Sequence, residues 1–146
     1  MSSRAISGFG TKFRRWDLTL IPAGWRDLAE ITSISGPGMA RETIDVTSLD
    51  SIGGYREFIA SIRNGGTVSL TMNFRKDSYE LMKSDFESDL RQNYQIALPD
   101  EERTALEFEG LVMELPLNIT VDDKITCDVT IQISGRPDLT THILPV

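Results

Sequence analysis

Cysteine is almost missing from this 146-residue chain, with Cys127 standing alone. One thiol excludes an internal disulfide and any Cys-rich zinc site. Histidine is as scarce: His142 is the single one, close to the end of the sequence. A lone histidine there reads as surface, because a catalytic base needs a nucleophile and an orienting group beside it. No apolar run approaches the roughly 20 residues of a membrane-spanning helix. The opening residues, from Met1 to Gly10, lack the apolar core of a secretory signal. These absences point to a soluble protein made in a reducing cytoplasm. Gly8-Phe9-Gly10 and Gly36-Pro37-Gly38 are glycine-rich, but neither follows a strong strand and opens a helix as a phosphate loop does. Asp122-Asp123 supplies far fewer oxygens than the six or more that calcium takes. No catalytic residue, cofactor or metal site is expected.

Positive charge is also in short supply. The chain has 22 acids against 15 bases, a net charge of −7, which argues against ordinary nucleic-acid binding. The bases are unevenly placed, with Arg4, Lys12, Arg14 and Arg15 falling in residues 1–16 without a single acid. This basic stretch has three readings. It is a solvated tail, an arm touching nucleic acid with Phe13 and Trp16 as stacking surfaces, or an arm lying on the acidic body of a neighbouring copy.

What is present is mostly β pattern. Val68, Leu70, Met72 and Phe74 alternate with Thr67, Ser69, Thr71 and Asn73, the signature of a half-buried strand. Ile125, Cys127, Val129, Ile131 and Ile133 alternate with polar residues in the same way, and Leu115, Leu117, Ile119 and Val121 extend the logic upstream. Val121 to Lys124 reads as the reversal between these two runs. Weaker strands are expected at 16–21, 28–34, 43–47, 94–98 and 106–113, and Asn64-Gly65-Gly66 as a tight hairpin turn. One helix is predicted over about residues 77–91. Its stripe is Tyr79, Met82, Phe86 and Leu90, with Asp77 and Glu80 as a capping box. That helix is expected to pack on its own sheet.

Residues 47–66 form the least regular segment, yet carry Tyr55, Phe58, Ile59 and Ile62. A long loop of this kind either buries those side chains against another subunit or folds over its own core. Residues 136–146 begin Arg136-Pro137 and end Leu144-Pro145-Val146, which suggests a second extended arm.

The polar faces of the two best strands hold no lysine and no arginine. Edge lysines commonly guard a sheet against unwanted pairing. Their absence suggests edges closed by identical copies in a ring, with an inner surface to which DNA does not adhere. The alternative is that these residues face a helix or loop of the same monomer.

The segments Glu30 to Gly38, Ile44 to Ser51, Gly54 to Ala60 and Asn64 to Leu70 resemble the tail tube (major tail) proteins of lambda-like bacteriophages with long, non-contractile tails. Phe108-Glu109-Gly110, Val121 to Thr126 and Ile133 to Pro137 continue the match in family order, so that it spans roughly residues 8–137. The resemblance implies a single-domain, β-sandwich or barrel-like tail-tube fold with one flanking helix, a long loop and extended N- and C-terminal arms. It implies a virion structural protein, made in the host bacterial cytoplasm, that self-assembles into stacked hexameric rings for DNA ejection. The stacking role then falls on loop 47–66 through Leu49, Ile52, Tyr55, Phe58 and Ile59. Lumen exposure falls on Asp128, Thr126, Thr130, Ser69 and Thr71, and arm contacts on Arg14 and Arg15 at the end of an N-terminal arm, 1–15. Expected partners are further copies, tape-measure, tail-terminator and distal tail proteins, with DNA passing through unbound. No immunoglobulin-like domain is expected after the core. A tube protein of a related injection machine (a type VI secretion ring, a phage-derived bacteriocin or a gene transfer agent) stays open as an alternative, as does a nucleic-acid-binding β-barrel using Lys12, Arg14, Arg15 and Trp16.

Overall fold

The computed structural model describes residues 5–19, 22–28 and 30–142. Eleven strands and one α-helix follow in chain order. They are β1 (Lys12–Asp17), β2 (Gly24–Asp27), β3 (Ile31–Ser35), β4 (Ala40–Asp45), β5 (Phe58–Asn64), β6 (Thr67–Asn73), α1 (Lys76–Glu87), β7 (Gln92–Ala97), β8 (Thr104–Glu114), β9 (Leu117–Asn118), β10 (Thr126–Ile133) and β11 (Asp138–Thr141). Nine strands form one antiparallel sheet in the order β2-β1-β7-β8-β10-β6-β3, with β11 added beside β8 and β9 beside β10. Strands β4 and β5 form a separate two-stranded ribbon.

The sheet has to curl. Its two edge strands, β2 and β3, are consecutive in the chain, and only four peptide steps separate Asp27 from Ile31. Four extended residues reach at most about 14 Å. Six strand spacings laid flat would hold the same two edges about 29 Å apart. The sheet therefore wraps on itself, and Leu28, at the crossing, is buried in the core. That core joins Phe13, Tyr94, Ile96, Phe108 and Val112 from one side of the sheet order to Val68, Leu70, Met72, Val129 and Ile131 from the other. Closure by curling is the sandwich or barrel-like architecture expected of this pattern.

Helix α1 differs in detail from its expectation. It begins at Lys76 and ends at Glu87, and its N-cap, Arg75, makes no side-chain capping bond. Asp77 lies inside the first turn instead, where its charge meets the positive end of the helix dipole. The buried stripe is Ser78, Met82 and Asp85. Phe86 is half exposed and Leu90, beyond the helix, mostly so. The stripe lies one position away from the expected one because Asp85 has a buried partner. Its carboxylate accepts bonds from Arg15 Nε at 2.7 Å, Arg15 Nη2 at 2.6 Å and Tyr94 Oη at 2.9 Å. Burial first, and the Asp85 charge second, push the Tyr94 hydroxyl far above the ordinary phenol range.

Three further expectations are corrected. Asn64-Gly65-Gly66 is not a hairpin turn: β5 pairs with β4, and the chain crosses here from the ribbon into β6. The run from Leu115 to Val121 is not a continuous strand. Only Leu117–Asn118 pairs, and Ile119 and Val121 are exposed. The cation-free strands β6 and β10 lie inside the sheet, so the missing lysines are not missing from an edge. The edge strand next to β6 is β3, Ile-Thr-Ser-Ile-Ser, which also carries no charge.

Candidate functional site

Strand β10 pairs with β6 over seven positions, with Asp128 opposite Thr71, Thr130 opposite Ser69 and Thr126 opposite Asn73. Val129, Ile131, Cys127, Leu70 and Met72, at the alternate positions, fill the core. All five expected lumen residues, Asp128, Thr126, Thr130, Ser69 and Thr71, therefore share the face turned away from the core. Neighbouring strands extend it, since Ser33 stands opposite Thr71, Ser35 opposite Ser69, Glu114 opposite Thr130 and Asn118 opposite Thr126. None of these positions is basic, so the face presents hydroxyls, amides and two carboxylates.

Asp128 is the fixed charge of that face. Asn118 Nδ2 donates to its Oδ2 at 2.8 Å and Thr71 Oγ1 to its Oδ1 at 2.8 Å. These two bonds, Asn118 first, hold its carboxyl below the usual aspartate range. Asn118 did not stand out in the sequence. The signal was present, because alternation between Leu117 and Ile119 puts Asn118 on the polar side.

The second feature is the β4–β5 ribbon. Every residue of β4 is exposed, and every residue of β5 except Ser61. Of the expected stacking residues, Phe58 and Ile59 are strand residues of β5 and about half exposed, whereas Leu49, Ile52 and Tyr55 are almost wholly exposed at the far end. Within the segment 47–66, residues 47–57 are the loop at the tip of a hairpin, with one 3-10 turn at Ile52–Gly54, whereas Phe58–Asn64 is its returning strand rather than loop. A two-stranded hairpin alone in water is marginal, and this one leaves Ile44, Val46, Ile59 and Ile62 uncovered as well. It leaves the body at a neck of glycines. Gly36 and Gly66 have φ of +105° and +77°, and the Gly38 N–H donates to the Thr67 carbonyl at 3.2 Å. A Cβ on Gly66 would run into the Gly38 carbonyl.

The arms are shorter than expected. Lys12, Phe13, Arg14 and Arg15 belong to β1 inside the sheet. Arg14 is 1% exposed and donates to Asp27 at 2.6 Å and to Gln95 at 3.2 Å, while Arg15 is committed to Asp85. Their guanidinium groups are already bound within the chain, which corrects their assignment to a projecting arm and removes the basic patch from a nucleic-acid reading. Of the expected C-terminal arm, residues 138–141 pair with β8. Residues 1–4 and 143–146 and the end of the strand expected at 16–21 lie outside the described residues. His142, expected at the surface, is buried with Nε2 3.0 Å from the Leu98 carbonyl oxygen. Cys127 is buried in the core, as its inward strand position predicts.

Comparison with solved structures finds the same fold in tubes. The tail of an empty gene transfer agent particle, computed with helical refinement and C6 symmetry, superposes with a TM-score of 0.72 at 21% identity, covering 94% of this chain and 100% of that one. A sheath-tube complex of an extracellular contractile injection system gives 0.70 at 11% identity, covering 95% and 93%. The SPP1 tail tube gives 0.69 at 10% identity, covering 95% and 81%. No curated protein matches the chain. The family model of the lambda phage tail tube protein matches residues 8–140. With that match covering nearly the whole sequence, the chain belongs to the lambda phage tail tube protein family.

Proposed function

We propose that this tail tube protein closes into hexameric rings whose lumen is the β6–β10 polar face, and that the rings stack through the β4–β5 ribbon. The observation that carries the reading is the registration of Asp128, Thr126, Thr130, Ser69 and Thr71 on one face without a single cation. Phosphates release counterions only where lysine or arginine meets them. DNA would slide along such a wall without adhering, as ejection from capsid to host requires. The uncharged β3 edge supplies backbone donors and acceptors for a neighbouring copy within the ring.

Leu49, Ile52, Tyr55, Phe58 and Ile59 would be buried between rings, giving the ribbon the cover it lacks in one chain. Tape-measure, tail-terminator and distal tail proteins would meet the tube's contents and ends. The subunit would be made in the host cytoplasm and end in the virion. No catalytic step is assigned to it. The gene transfer agent tail and the contractile tube share the fold, so the same surfaces would serve a related injection machine equally.

Negative-stain microscopy of the purified protein tests the reading. Sixfold rings and stacked tubes are expected, with no shift of DNA at physiological salt. The double substitution Ile44→Asp and Ile59→Asp should leave the fold and rings intact and abolish tubes. Monomers alone across all concentrations, or salt-sensitive DNA binding, would overturn it.

A further inference from the structure

Two arginines stand directly across from each other on the ribbon. Arg41 of β4 is registered with Arg63 of β5, on the strand face that also carries the Asp45–Phe58 pair. Like charges directly opposite on a sheet face destabilise it. Among the described residues neither arginine has an ion pair, and the one bond of the two is Arg41 Nε to the Ser61 carbonyl at 3.1 Å. Two unneutralised cations in a chain of net charge −7 call for an acidic surface elsewhere.

The sheet says which surface. The ribbon springs from the end where β6 starts, beside Thr67. The Val121-Asp122-Asp123 turn leads into β10 at Thr126, which pairs with Asn73 at the other end of β6. The two ends lie at opposite termini of the seven-residue strand β6, six steps or about 20 Å apart at 3.4 Å per residue. In a head-to-tail stack one end of a subunit meets the opposite end of the next. The far end is also apolar: Val121 and Ile119 are exposed, and Phe74 and Ile125, joined by a 2.9 Å backbone bond, are each about 40% exposed. Asp122 has no hydrogen bond or ion pair among the described residues, and Asp123 accepts only the Lys124 N–H in its own turn. The β7–β8 turn, with Glu101 and Glu102, is acidic too. It lies at the ribbon's own end, because β8 extends past Ile133 toward Thr104, and so it does not face the ribbon of another copy.

We infer that Arg41 and Arg63 of one copy dock against the Asp122-Asp123 turn of a copy in the next ring, with Phe58 set on the apolar floor around Val121. The inference rests on the stacking reading above. Charge pairing at this contact fixes which end meets which and in what register, and its screening by salt makes stacking weaken as ionic strength rises.

The test is charge reversal and exchange in the full chain. Arg41→Glu with Arg63→Glu, and separately Asp122→Arg with Asp123→Arg, should each lower the pelleted tube fraction at least tenfold while sixfold rings persist. All four residues are exposed, and an unchanged thermal midpoint confirms folding. The four substitutions combined should restore tubes. In a second arm, Arg63→Cys with Asp122→Cys should give a disulfide-linked ladder in tubes that neither single variant gives. Tubes of normal yield from either reversed pair, or no rescue together with no ladder, would overturn the contact and leave ring stacking standing. A wild-type chain that never forms tubes would overturn both.

Discussion

Arg15 and Asp85 meet in a two-pronged ion pair, at 2.6 and 2.7 Å, that fastens β1 to α1. Asp85 is almost fully buried and Arg15 largely so, and Tyr94 completes the carboxylate's set of donors. Removing one member leaves the other charged and desolvated, a loss of about 3–5 kcal/mol. Asp85→Ala should therefore lower the thermal midpoint by about 10 °C, read by circular dichroism of the unassembled protein. Tyr94→Phe removes one bond to a charged acceptor and should cost about 1.5–3 kcal/mol. A midpoint within one degree of wild type in both variants would mean that the helix is held by Met82 and its apolar neighbours alone.

The Asp128 carboxyl is held low by Asn118 and Thr71. A depressed folded-state pKa adds stability that is fully present above the unfolded value, about 3.9, and is lost as pH falls through the folded value. Asn118→Ala should move the Asp128 titration upward, toward the ordinary aspartate range, in carboxyl-carbon NMR of the monomer. An unmoved titration would show that Thr71 suffices.

Gly66 occupies positive φ, and an added Cβ would strike the Gly38 carbonyl. Gly66→Ala should cost on the order of 1–3 kcal/mol and disturb the root of the ribbon. Faster proteolysis between residues 39 and 64 is the expected mark of that disturbance. Gly135→Ala also meets positive φ but open space, so it should show the backbone penalty without the proteolytic one.

Burial, and then the neighbouring Asp128, push the Cys127 thiol up to about 11. The native protein should thus resist thiol reagents at pH 8 and react with one equivalent on unfolding. Labelling of the folded chain would mean that the β10 core opens locally.

Strand alternation made much of this legible. The polar and apolar faces of β6 and β10, the core position of Cys127 and the reversal at 121–124 all follow from a period of two, which needs no knowledge of partners. The helix stripe was misplaced by one position because a buried ion pair breaks the apolar rule, and Asp85 reads in one dimension as a surface acid. Residues 58–64 were hidden as a strand for the opposite reason. Their ribbon is exposed at every position except Ser61, so no periodic burial is imposed on its side chains.

Residue pattern by itself determined that this is an acidic, mainly β chain with a cation-free polar face and an apolar-studded excursion at 47–66. Tertiary structure decided the rest. It drew Arg14 and Arg15 out of an imagined arm into the sheet, buried His142, set Asn118 against Asp128 and put Arg41 across from Arg63. Each of these joins residues distant in sequence through a strand pairing or a curl of the sheet. Local propensity carries the period of a strand but not the identity of its neighbour, which is chosen only when the whole core closes.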